Sequence, residues 1–284
     1  MRLIGVVSSA SGLVPRAHLY WGFRGREEFL ARAAEFLHDG IVEGQYVEFV
    51  GQGSVEELTA QVRELPGGEA GLRTRQVGVC PVEQFFVMTE PGVVDAVASV
   101  QSRITAGKQA MAAGFSASRA VVDATSVVRT PRAREAFAQF EHLIDVEMSR
   151  LPISAMCAYD TRLVDHATLA HLAALHPVCC PGAGPLRLYA DPGTDLAVAG
   201  EADGASAVLV TAALQTVLPL LPAPSLRIDA SELQFADHRG LMLLDDALAG
   251  QGRTAVLQGT ARTLSTLAQL LPLRALRVEG VAAR

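Results

Sequence analysis

Residues 228–248 read IDASELQFADHRGLMLLDDAL, an apolar strand that passes through a short polar loop directly into an amphipathic helix. Leu226 and Ile228 alternate with polar neighbours, and Leu233 and Phe235 are expected to carry the apolar face up to a loop of Ala236, Asp237, His238, Arg239 and Gly240. After Gly240, Leu241, Leu244 and Leu248 recur at helical spacing, so the loop is expected to sit on the first turn of a helix. Unpaired N–H groups and the positive end of the helix dipole favour an anion at such a place. A strand feeding a helix in this way fits an alternating α/β architecture.

The run IDASELQFADHRGL resembles the core of a STAS domain, the fold of anti-sigma-factor antagonists. In that family a strand ends in Asp-Ser or Asp-Thr, then any residue, Gly and Leu, and presents a phosphorylatable hydroxyl at a helix N-terminus. Asp237, Gly240 and Leu241 fit the pattern; His238 stands at the hydroxyl position, and nothing from Phe235 to Leu241 can replace it. The resemblance implies the fold and a partner-binding loop of Asp237, His238, Arg239 and Gly240, with a departure from the family's phosphorylation switch. The alternative is a strand-loop-helix unit of any α/β domain.

Upstream, Phe29, Leu30, Ala33, Phe36, Leu37 and Ile41 form one apolar stripe, Gly40 and Gly44 punctuate its end, and residues 46–50 read as a buried strand. Gly51, Gln52, Gly53 and Ser54 lead into a helix in which Ser54 and Glu57 form a capping box and Leu58, Val62 and Leu65 face inward. A strand, a Gly-rich turn and a helix invite comparison with a nucleotide loop. GQGSVEEL, however, has no lysine for the phosphates and sets Glu56 and Glu57 where they would repel them. Residues 76–80 and 84–88 read as extended, and residues 91–112 as a helix with Val94, Val97, Ala98, Gln101 and Ile104 along its inner side. A strand ending at Asp123 follows. Thr130 and Pro131 then start a long helix with the core stripe Phe137, Phe140, Ile144 and Met148, on which His142 is expected to be solvated. Residues 153–160, ISAMCAYD, read as a buried strand, and a short helix through His171 leads to His176 and Pro177. Apolar strands alternating with helices argue for a parallel α/β sandwich.

Between His18 and Pro177 the order of His18, the DGIVEGQYVEFV turn into a strand, the F-x-x-F-E helix through Glu141, the CAYD strand end and the His-Pro pair resembles the MEDS domain. That resemblance implies a RecA/KaiC-like parallel α/β sandwich without a phosphate-binding loop, and a sensory role, proposed for the family to involve small hydrocarbon derivatives. It also makes a MEDS-STAS pairing of actinobacterial type coherent. Pro181, Gly182, Ala183, Gly184 and Pro185 form the best linker, so residues 1–180 are expected to be the MEDS-like domain and 186–284 the STAS-like domain. In the latter, residues 186–190 and 196–199 read as a hairpin, 205–221 as a helix, and 254–257, 261–271 and 276–279 as strand, helix and strand.

Charge narrows the partners. With 24 basic and 30 acidic residues and Lys108 as the one lysine, there is no Lys/Arg run to track phosphates, so direct nucleic-acid binding is not expected. No stretch approaches the roughly 20 apolar residues of a membrane span, and Ser8, Ser9 and Ser11 break the apolar start that would otherwise pass for a signal peptide. Cys80, Cys157, Cys179 and Cys180 lack C-x-x-C spacing, which suits a reduced, cytoplasmic protein.

His18, Glu141, Cys157, Tyr159, Asp160 and His176 are the candidate ligand-binding residues, because strand ends in parallel α/β folds converge on a crevice. The competing reading makes them surface polar groups and caps. His171, His176, Cys179 and Cys180 form a Cys/His cluster without the paired spacing of structural zinc sites, so neither a metal nor another cofactor is assigned. No nucleophile constellation stands out, and the chain reads as a non-enzyme: a regulator whose partners are a small molecule, an anti-sigma factor or related protein, and, in a homo-oligomer, its own copy. The alternatives are a RecA-like ATPase and a metal or prosthetic-group sensor using the His/Cys cluster.

Overall fold

A computed structural model describes residues 2–280, which form two compact units, residues 2–169 with 177–183, and residues 170–176 with 184–280. In the first unit, β1 (Gly5–Val6) and β2 (His18–Phe23) precede α1 (Arg26–Val42), β3 (Tyr46–Gly51), α2 (Val55–Glu64), α3 (Gly68–Arg73) and β4 (Val77–Pro81). Then come α4 (Val82–Phe85), the small pair β5 (Met88–Glu90) and β6 (Val93–Val94), α5 (Ala96–Ala112), β7 (Ser118–Asp123), α6 (Pro131–Met148), β8 (Ile153–Asp160), α7 (His166–Ala174) and β9 (Val178–Cys179). Seven strands in the order β1-β9-β2-β8-β7-β3-β4 form one sheet, parallel throughout. The expected α/β class is therefore the one the chain adopts. The units part between Ala183 and Gly184, inside the breaker-rich run at residues 181–185, and residues 170–176, which include the end of α7, group with the second unit.

Local chemistry explains three of the helix starts in the first unit. Ser54 and Glu57 make the expected capping box, Asp95 accepts from Ala98 N, and Thr130 with Pro131 opens α6. Phe29, Phe36 and Phe49 are fully buried between α1 and the sheet, each stabilising by about 1.5–3 kcal/mol. Arg119 of β7 is also fully buried. It donates to Gln45 Oε1 (2.9 Å) and Phe36 O (3.0 Å) while its guanidinium lies over the Phe36 ring, pinning the end of α1 to the sheet.

Three expectations fail here. The inner face of α5 is Ser99, Val100, Gly107 and Ala110, with Val97 exposed, because the helix is held close by small residues. A Cβ on Gly107 would stand 2.7 Å from Ile153 Cδ1. Residues 82–85 are a helical turn instead of the start of an extended segment, and α5 begins only at Ala96. His142, expected in solvent, is buried.

The second unit contains β10 (Leu186–Tyr189), β11 (Leu196–Ala202), α8 (Ala207–Val217), β12 (Ser225–Ala236), α9 (His238–Gly250), β13 (Thr254–Thr260), α10 (Arg262–Ala268) and β14 (Leu276–Gly280). Its sheet runs β10-β11-β12-β13-β14, antiparallel only at the first pair. Phe235, expected on the apolar face, is 52% exposed. Two register shifts against β11 break the alternation, and β13 stops pairing with β12 after Asp229.

Candidate functional site

Within the first unit the chain gathers its unusual polar residues under α6. In β8, Cys157 and Tyr159 share one face, and the parallel register sets Tyr20 beside Cys157 and His18 beside Ala155. Glu141 and Asp145 are spaced i, i+4 on α6, so both carboxylates descend onto that face. The result is a continuous network. His18 Nδ1 lies 2.9 Å from Asp145 Oδ1, and its Nε2 lies 3.1 Å from Glu141 Oε2. Cys157 Sγ donates to Glu141 Oε2 at 3.5 Å and lies 3.6 Å from His18 Nε2. Tyr159 donates its hydroxyl to Glu141 Oε1, and its ring stacks on Tyr20 with centroids 5.3 Å apart. At the far end Arg2 pairs with Asp145.

His18, Glu141, Cys157, Tyr159 and Asp145 have essentially no solvent exposure. Burial opposes charge on His18, yet the hydrogen bonds to Asp145 and Glu141 prevail and raise its pKa. Burial likewise works against the Asp145 carboxylate, but Arg2 and His18 hold it well below the usual carboxylate range. The Cys157 thiol and the Tyr159 hydroxyl are pushed well up, by burial first and then by Glu141. They are therefore proton donors at neutral pH, with one carboxylate to receive both.

Residues 17–177, more than half of the chain, match the MEDS family, the MEthanogen/methylotroph, DcmR Sensory domain. The chain belongs to the MEDS family. No curated protein matches it.

Four of the six candidate ligand-binding residues, His18, Glu141, Cys157 and Tyr159, thus meet in one cluster of the MEDS domain. Asp160 does not join them. It follows Tyr159 on the opposite face of β8, where it pairs with Arg162 and sits beside Thr125, whose hydroxyl accepts from its backbone N–H. His176 is buried, with Nδ1 2.8 Å from Leu172 O. The proposed His/Cys cluster disperses in part: Cys180 accepts from Gly22 N at 3.3 Å, and His171 Nε2 is 3.1 Å from the Thr216 hydroxyl. All four cysteines are free thiols. Asp145 and Arg2 belong to the network although no sequence motif marks them; Asp145 stands one turn beyond Glu141 on the same helix. Cys157 also lines a cleft of the MEDS domain, between α4, α5, α6 and the sheet, with Phe85, Phe86, Phe140 and Ile144 as apolar walls and Glu48 and Arg103 as a polar pair 3.3 Å apart. No described helix is long and apolar enough to cross a membrane.

In the second unit the expected loop is shorter than the spacing suggests. Asp237 is the N-cap of α9, accepting from Gly240 N at 2.8 Å, so His238, Arg239 and Gly240 are already its first turn. His238 and Arg239 are exposed and Gly240 is buried. A Cβ on Gly240 would lie 1.9 Å from Ala202 O, which is why glycine occupies the position.

Proposed function

We propose that the chain is a non-catalytic regulator in which the MEDS domain senses a small, largely apolar molecule and the second unit, a STAS-like domain, docks a protein partner. The sensory-family match over residues 17–177 carries this reading. The apolar cleft beside Cys157 supports a small-molecule ligand, since such sites combine apolar walls with a few polar groups. For the second unit, the support is the Asp237-capped helix start with His238 and Arg239 exposed. The partner is an anti-sigma factor or related regulator, bound without serine phosphorylation because His238 offers no hydroxyl.

An ATPase reading is less well supported. Glu57 Oε2 accepts from Ser54 N at 2.8 Å, so the turn after β3 already satisfies an N–H that a phosphate would need.

The test is affinity capture from the native host with the full chain, His238→Ser and His238→Asp. An acidic residue is well tolerated at a helix start, so both variants keep the fold. A regulator of sigma-factor activity should be recovered with wild type and His238→Ser and depleted with His238→Asp. Equal recovery by all three removes this helix start from docking, and recovery of no such regulator overturns the partner assignment.

A further inference from the structure

The geometry points to a tetrahedral divalent-metal site, zinc by its donor set, formed by His18, Glu141 and Cys157 of the first unit. Their donor atoms already define a triangle: Nε2 to Oε2 is 3.1 Å, Sγ to Oε2 3.5 Å and Sγ to Nε2 3.6 Å. Zinc bond lengths at a tetrahedral angle require about 3.3 Å between nitrogen and oxygen, and about 3.6 Å from sulfur to either. The existing triangle matches this to within a few tenths of an ångström. Its corners come from three separate elements, β2, α6 and β8, all fully buried, so backbone packing fixes the geometry.

The atoms behind the triangle are held as metal sites hold them. Asp145 takes His18 Nδ1 and leaves Nε2 facing inward, and Tyr159 takes Glu141 Oε1 and leaves Oε2. Imidazole, carboxylate and thiolate together suit zinc better than calcium or magnesium, which prefer oxygen alone. The exchange is also electrically neutral. When the metal enters, the thiol proton of Cys157 and the proton between His18 and Glu141 leave to solvent, so two positive charges replace two. That matters in a buried site, where a change of net charge is expensive. Cys157 also borders the apolar cleft of the first unit, which places the site beside the space a small molecule could enter. The site stands independently of the docking proposed for the second unit.

The test uses the full chain, stripped with chelator and dialysed. Calorimetric titration with Zn2+ should show one ion bound per chain, and Co2+ should give a thiolate-to-metal charge-transfer band with the strong visible absorption of a tetrahedral site. Cys157→Ser should abolish that band, while Cys80→Ser, at the one cysteine that is not buried, should leave it intact. Tyr159→Phe should keep the band and weaken Zn2+ binding by about 10–100-fold, the effect of losing a group that orients a ligand. Emission of Trp21, within the first unit, checks folding of each variant. Absence of Zn2+ binding, a wild-type Co2+ spectrum without a thiolate band, or a band that survives in folded Cys157→Ser overturns the site. Should Cys157→Ser not fold, loss of the band in Glu141→Gln is the equivalent expected result and its survival the equivalent refutation.

Discussion

Acidification from about pH 7.5 to about pH 4.5 should cost the first unit about 2.5 kcal/mol through one side chain, His142. The imidazole is buried on α6, its Nδ1 has no hydrogen-bond partner, and burial lowers its pKa to about 4 against the opposing pull of Asp145. In the unfolded chain the same group titrates near about 6.5. Between those values the unfolded chain holds a proton that the folded one refuses, so this stability is complete above the unfolded pKa and is lost as pH falls toward the folded one. The whole shift corresponds to about 3.4 kcal/mol, of which about 2.5 is lost by pH 4.5 or so. His18 works in the other direction. Its pKa is raised, so its contribution is present below the unfolded value and disappears as pH rises through the folded one. Asp145, with its pKa lowered, loses its contribution only below the ordinary carboxylate range. The difference between wild type and His142→Leu therefore isolates the effect. Urea unfolding followed by fluorescence of Trp21, the only tryptophan and a residue of β2, reports the first unit alone. EDTA keeps metal out of the titration. His142→Leu should lose about 2.5 kcal/mol less than wild type over this range; parallel stability profiles would refute the buried neutral imidazole.

Asp145→Asn should destabilise the first unit by about 3–5 kcal/mol in the same urea assay at neutral pH, because it strands Arg2 and His18 in a buried place. Gly240→Ala should lower the thermal transition of the second unit in calorimetry, by about 1–3 kcal/mol of overpacking or more, since the added methyl meets a backbone carbonyl. Asp237→Ala should cost that unit about 1 kcal/mol through the lost cap, and a change within error would mean the cap contributes nothing.

The parallel sheet and its helices were legible because their periods are strong: ISAMCAYD is buried at every position, and the stripe Phe137, Phe140, Ile144 and Met148 is buried as its spacing implies. Where packing is done by glycine, serine and alanine, hydrophobicity points the wrong way, and α5 turned its Ser99–Gly107 face inward. A lone polar residue on a helix gives no sign of how wide the buried face is, so the spacing points His142 to solvent while the packing buries it. Glu141 and Asp145 fall one and two turns beyond Phe137, inside the apolar stripe. That spacing was the available signal for the network, and it shows only when polar residues are mapped onto the helical face. Asp160 stands apart from the cluster for a simpler reason: two successive residues at a strand end point to opposite faces, and only Tyr159 faces α6.

A network of buried charges is a poor way to fasten a helix to a sheet. Each ion costs several kcal/mol to take out of water, and apolar residues of similar volume often hold such positions as well or better. Apolar packing is at hand, since Phe137 and Phe140 of α6 already meet each other and Phe86 at centroid distances of 5.1–5.4 Å. The two ends of the network differ in kind. Arg2 and Asp145 form a paired anchor that also aligns His18, and nothing in it needs to change when a ligand arrives. Glu141 instead collects three protons, from His18, Cys157 and Tyr159. Two of those come from groups whose conjugate forms are metal ligands, while the third comes from a phenol that holds the carboxylate in place. A cluster built only for stability has no need of that division, whereas a cluster that trades protons for a cation requires one fixed end and one exchangeable end.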